Sequence, residues 1–191
     1  DTDTFFRQSP MQLFRRIKTG TLLCNAIGAR YGANPDCQLY KTLHQALQAR
    51  GLADTQMPLV NSGVIGLTAA DAATLDHSIA LMDEYYPQAR QAYTLEEFCL
   101  AVAAYRTLEL AECTDVIHHY WSRKQLFRAK VQAWVIKHAA QPTCQAALDD
   151  TRRVSAQLPR PPRSQRMLYK VITLALPGHL RQFIREILYG C

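Results

Sequence analysis

Helix start and stop signals bound almost every segment of this chain, and they constrain its fold more than any other sequence feature. Ser9-Pro10-Met11-Gln12 carries a capping serine, proline at the first helical position and glutamine at the capping-box position. A helix is predicted from about 10 to 31, with a break near Thr19-Gly20 and a stop at Gly32. Asn34-Pro35 opens a second helix through Leu39, Leu43, Ala46 and Leu47, closing at Gly51. Residues 52–67, with Asp54, Pro58, Asn61, Ser62, Gly63 and Gly66, hold at most brief extended pieces at Leu59-Val60 and Val64-Ile65. Thr68 starts a third helix to Tyr85, stopped by Pro87, with Ala72, Leu75, Ile79 and Met82 as its apolar stripe.

Thr94-Leu95-Glu96-Glu97 is a capping-box pattern opening a fourth helix whose core face is Phe98, Val102, Tyr105 and Leu108. A fifth runs from about Ser122 to Ala140 and a sixth over 143–157. Leu158-Pro159-Arg160-Pro161-Pro162-Arg163 excludes helix and reads as a semi-rigid connector. Ser164 caps a helix to about Leu176, Pro177-Gly178 turns the chain, and a last helix reaches Tyr189. The expected fold is all-α, a bundle of seven to nine helices. Its expected parts are a main domain over 1–157, a connector over 158–163 and a basic helical hairpin over 164–191.

With 48% hydrophobic residues and seventeen aromatic ones, the chain has the material for a packed core rather than for disorder. It contains no run of about 18 apolar residues, so no membrane span is expected. The opening Asp1-Thr2-Asp3-Thr4-Phe5 lacks the basic start of a secretory signal, and a cytoplasmic location is expected. The six cysteines, Cys24, Cys37, Cys99, Cys113, Cys144 and Cys191, form no Cys-x-x-Cys pair. Several lie among apolar neighbours, as in Leu22-Leu23-Cys24 and Phe98-Cys99-Leu100, so free thiols without metal are expected.

Charge is unevenly distributed. Residues 1–120 carry nine Lys/Arg and thirteen Asp/Glu, a net of −4, while 121–191 carry thirteen Lys/Arg against three acids, a net of +10. Such a concentration suits a polyanion, because each phosphate contact releases a counterion. Arg outnumbers Lys nine to four there, and its planar fork suits phosphate and guanine edges. The phosphate-contacting candidates are Arg123, Lys124, Arg128, Arg152, Arg153, Arg160, Arg163, Arg166 and Lys170.

Residues 24–45 have the small residues and turn chemistry of a helix-turn-helix, with Gly28, Gly32 and Asn34 in workable places. Its second helix would expose Gln38, Lys41 and Gln45 to bases, with Asp36 near its start opposing phosphate. Gly28-Ala29-Arg30, Leu39-Tyr40-Lys41-x-Leu43, Met57-Pro58, Tyr86-Pro87-Gln88 and the stretch from Ala104-Tyr105-Arg106 to Cys113 follow one another as in another family. Over roughly residues 12–113 the chain resembles FlhC-type transcription activator subunits, which control flagellar operons and, on mobile elements, conjugation genes. That resemblance implies an all-α DNA-binding subunit acting with a smaller partner. The family's four-cysteine zinc motif is missing here, since Cys113 and Cys144 have no paired neighbours.

Catalytic chemistry finds little support. Gly-x-Ser-x-Gly, Walker and Gly-x-Gly-x-x-Gly motifs are lacking, and Asp76-His77 has no nucleophile beside it. Asp115 and His119, four apart on a helix, would share a face near Cys113 and Glu112, but adjacent His118 and His119 point about 100° apart. Phe127, Val131, Trp134 and His138 form a stripe expected to face a core, although Trp134 would suit base stacking. Leu180, Phe183, Ile184 and Ile187, flanked by Arg181 and Arg185, make an amphipathic segment able to dock on its own domain, a partner or a membrane surface.

The expected function is therefore non-enzymatic: a DNA-binding subunit of a transcriptional regulatory complex, without cofactor. Double-stranded DNA and a protein partner subunit are the expected ligands, and the opposed charges allow a homo-oligomer. The alternatives are an assembly adaptor for an acidic protein in secretion or nucleoprotein machinery, or a helical RNA-binding subunit of a guide-RNA complex.

Overall fold

Thr21–Arg30, expected as the second half of the first helix, is a strand, and that one difference changes the fold class to mixed α/β. The computed structural model describes residues 3–52, 54–90, 92, 94–120 and 124–139, with isolated positions 145, 149, 150, 164, 167, 168, 171, 176 and 177. In chain order the elements are β1 (Thr4–Phe6), α1 (Met11–Arg16), β2 (Thr21–Arg30), α2 (Gln38–Ala49), β3 (Pro58–Gly66) and α3 (Ala73–Ala89). They continue with α4 (Leu95–Ala104), β4 (Glu109–Glu112), β5 (Ile117–His119) and α5 (Lys124–His138). Among the described residues the all-α bundle of seven to nine helices is thus replaced by five helices and two sheets of five strands together.

The chain divides into two compact units. The first is Gln8–Ile117; the second brings Thr2–Arg7 together with the chain from His118 onward. The candidate connector at 158–163 lies outside the described residues.

In the first unit β2 is the central strand of a three-stranded sheet ordered β3-β2-β4, antiparallel to β3 and parallel to β4. Residues 21–25 of β2 are all buried, because both sheet faces are covered. Leu22 and Cys24 enter a core built with Leu39, Leu43 and Leu47 of α2, Leu81 and Tyr85 of α3, and Phe98 and Cys99 of α4. Leu23, one residue out of phase, points the other way toward Leu13 and Ile17, with Val64, Cys113 and Ile117. A strand buried on both faces reads as a continuous apolar run, which helical periodicity does not distinguish from a buried helix. The expected helix therefore stops at Arg16, and Gly20, at φ +79°, turns the chain into β2.

Gly32 is not a helix stop. It lies in a short 3-10 turn where a Cβ would sit 2.6 Å from that of Thr55 and 2.8 Å from its carbonyl oxygen, so only glycine fits. Gly51 is the stop the sequence indicates: at φ +68° it lets Leu52 N–H donate to Leu47 O and Gly51 N–H to Gln48 O, the Schellman pattern. Pro87 lies inside α3 rather than ending it at Tyr85. The buried face of α3 is Ser78, Leu81, Tyr85 and Ala89, whereas Leu75 and Ile79 of the expected stripe are exposed.

The four described cysteines are free thiols, with Cys24, Cys99 and Cys113 buried and Cys37 half-buried at the start of α2. Burial pushes the Cys24 and Cys99 thiols up to about 12 and Cys113 to about 11. In a Cys144→Ser/Cys191→Ser background, a disulfide reagent at pH 8 is expected to label one thiol of the native protein, Cys37. The other three should react after denaturation; fast native labelling at Cys24, Cys99 or Cys113, read by peptide mass, would contradict the buried placement.

Candidate nucleic-acid interface

The second unit is organised around α5 and the two-stranded sheet of β1 with β5. Phe5, His118, Tyr120 and Phe127 form its aromatic centre, with ring centroids 5.0–6.3 Å apart. Phe127 and His138 are buried and Trp134 is half-buried against His138 at 5.1 Å. The aromatic stripe of α5 thus faces inward, and Trp134 is not an open stacking platform.

Beside this centre lies Asp3, 1% exposed. Lys124 Nζ donates to its Oδ2 at 2.6 Å, His119 Nε2 stands 3.8 Å away, and Tyr120 N–H donates to its backbone oxygen at 2.9 Å. Burial acts against the Asp3 charge, but the Lys124 bond and charge prevail and hold its carboxyl below the ordinary range. His118 and His119 are both driven toward the neutral form, chiefly by burial.

These contacts sort the expected phosphate ligands. Lys124 is committed to Asp3, and Lys137 to Asp150, which also accepts from His138. Arg128 is exposed on the outer face of α5 with no carboxylate partner among the described residues. Arg123, Arg152, Arg153, Arg160, Arg163, Arg166 and Lys170 lie outside the described residues.

The helix-turn-helix over 24–45 is not formed, because its first half is β2. Gln38, Lys41 and Gln45 do share the exposed face of α2, where Gln38 donates to Thr42 Oγ1 at 3.1 Å and Lys41 pairs with Asp36 at 3.2 Å. The pairing leaves that face with little net charge. Next to it, Gln38, Pro87, Gln88, Ala89, Arg90 and Ala92 line a groove of about 100 Å³, room for a few waters rather than a substrate.

The helical face proposed to join Asp115 to His119 does not exist either, since Ile117–His119 is strand. Asp115 accepts two bonds from the Arg16 guanidinium at 2.7 and 2.6 Å, tying α1 to the segment before β5. Among the described residues no group of three or more His, Cys, Asp or Glu gathers as a metal site, and no helix is long and apolar enough to cross a membrane.

Sequence reading missed two buried polar features. One is Asp3 with Lys124; the other is Tyr31, 2% exposed, packed with tilted rings against Tyr40 and Phe98 at 4.9 and 5.0 Å while Tyr40 OH meets His44 Nε2 at 3.3 Å. Only the spacing Tyr40–His44, four apart on a helix, was visible beforehand.

Comparison with protein-family models, curated proteins and solved structures finds no match to this chain. The likeness to FlhC-type activator subunits accordingly rests on the short residue matches given above.

Proposed function

We propose that this chain is a non-enzymatic nucleic-acid-binding protein that grips the phosphate backbone of double-stranded DNA through its second unit and acts as a subunit of a regulatory complex. The observation supporting this reading is the way charge follows the division into units. Gln8–Ile117 holds eight Lys/Arg against eleven Asp/Glu, a net of −3. Thr2–Arg7 with the chain from His118 onward holds fourteen against four, a net of +10. Each unit thus carries its own sign, and the excess of cations belongs to the unit that also holds the aromatic centre of Phe5, His118, Tyr120 and Phe127. Counterion release makes such a unit bind nucleic acid strongly at low salt with little regard to sequence.

The test is a gel-shift titration against random duplex DNA, single-stranded DNA and RNA over a salt series. With four or more phosphates neutralised, duplex affinity is expected to fall about a hundredfold or more between roughly 50 and 200 mM salt. Reversing Arg152, Arg153, Arg160 and Arg163 to Glu should weaken binding to all duplexes alike and flatten that slope. Preference for RNA would move the reading to an RNA-binding subunit. A flat salt response, or no binding to any of the three, would end it.

A further inference from the structure

The outer face of α3 bears apolar residues that the core of its unit does not use. Leu75, Ile79 and Tyr86 are 36%, 54% and 59% exposed, and Met82, half-buried with one side against the core, completes a stripe at spacings of four, three and four. The buried face of the same helix, Ser78, Leu81, Tyr85 and Ala89, runs beside it, so α3 has two apolar faces and only one is covered by its own unit. The stripe spans about 16 Å of helix, long enough to seat a partner helix of two turns. Asp76 and Asp83, seven apart along its outer margin, form no ion pair among the described residues. From Ala73 to Ala89 the helix contains no Lys or Arg at all. A contact here wants an apolar helix with basic flanks.

This chain carries such a segment. Leu180, Phe183, Ile184 and Ile187 recur at helical spacing with Arg181 and Arg185 between them. We propose that the exposed stripe of α3 docks the 180–187 segment of a second copy of this chain, with the arginines set against the Asp76 and Asp83 margin. The contact is head-to-tail, joining an acidic apolar face on one copy to a basic apolar segment on the next. It does not rest on the nucleic-acid reading, since α3 lies in the other unit, although Arg181 and Arg185 also count among the cations of the basic unit.

A labelled peptide of residues 178–190 titrated into the nuclease-treated 191-residue chain tests the contact, alongside light-scattering mass across a salt series. The peptide is expected to bind at about 50 mM salt and to lose about tenfold in affinity by about 500 mM, as screening removes the charged margin. Mass should rise above the 21.6 kDa monomer as salt falls. Ile79→Ser/Tyr86→Ser, at positions already in water, should keep the native circular dichroism while losing both peptide binding and assembly. Asp76→Asn/Asp83→Asn should retain weaker binding with a flattened salt response. Failure of the peptide to bind, equal binding of a scrambled peptide, or indifference to Ile79→Ser/Tyr86→Ser would overturn the docking site. Peptide binding by a chain that stays monomeric at every salt would overturn the second copy as its occupant.

Discussion

Truncating Phe98 to alanine is expected to lower the unfolding free energy by about 3–5 kcal/mol, a large share of the 5–15 kcal/mol typical of a domain. Phe98 is 1% exposed and lies where α4 meets the rest of the first unit's core, with its ring 5.0 Å from that of Tyr31. Tyr31 is itself 2% exposed and its hydroxyl has no partner among the described residues, so close packing rather than hydrogen bonding holds it against Phe98. Removing the Phe98 ring opens a void that helices anchored by Leu43, Leu47 and Tyr85 have little freedom to fill. Chemical denaturation followed by far-ultraviolet circular dichroism measures the change. A cost under about 1 kcal/mol would mean that Phe98 is not at the centre of this core.

Asp3 supplies the second large effect. Replacing it with alanine removes the acceptor that holds Lys124 and leaves the ammonium beside the His118–Phe127 aromatic centre. The expected loss is about 1–3 kcal/mol, less than for a fully buried ion pair because the Lys124 side chain is 40% exposed. The double change Asp3→Ala/Lys124→Met should recover most of that loss, since neither charge is then stranded. A double variant as unstable as the single one would show that the ion pair is not what Asp3 contributes.

The same unit should respond to pH with a definite sign. His118 and His119 have native pKa values below the ordinary 6.5, so the unfolded chain takes up protons first as pH falls. Stability is therefore complete above about pH 6.5 and declines below it, by at most about 1.4 kcal/mol per pH unit for each histidine. Asp3 acts in the same direction lower down, because its depressed native pKa adds stability that is lost only as pH drops below the carboxylate range. Denaturation midpoints for wild type and His118→Phe between pH 7.5 and 5 test this, and the variant should show the shallower decline.

Parts of the fold were legible because their signals are local. α2 runs from Gln38 to Ala49 and closes at Gly51, as Pro35, the leucine spacing and the glycine indicate. Residues 52–67 read as non-helical with brief extended pieces at Leu59-Val60 and Val64-Ile65, where the structure has the single strand β3. α4 and α5 fall inside their expected ranges, although Thr94 makes no side-chain cap. β4 was invisible: Glu109-Leu110-Ala111-Glu112 is built of helix formers, and only pairing with Thr21–Cys24 of β2 makes it a strand. The candidate site was legible as charge but not as geometry. The spacing of Lys124 and Arg128 gave no sign that a carboxylate 121 positions upstream of Lys124 holds one of them while the other faces water.

By itself, then, the amino-acid order determined the stop of α2 at Gly51, the places of α4 and α5, and how charge divides along the chain. All of these depend on residues within a few positions of one another or on simple counting. Tertiary structure alone decided that Thr21–Arg30 is a central strand rather than a helix, because burial on both faces comes from α1 on one side and α2–α4 on the other. It also decided which of α3's two apolar faces is the core. Helical periodicity shows that an apolar stripe exists; only the packed neighbours select the stripe that is buried and leave the other in water.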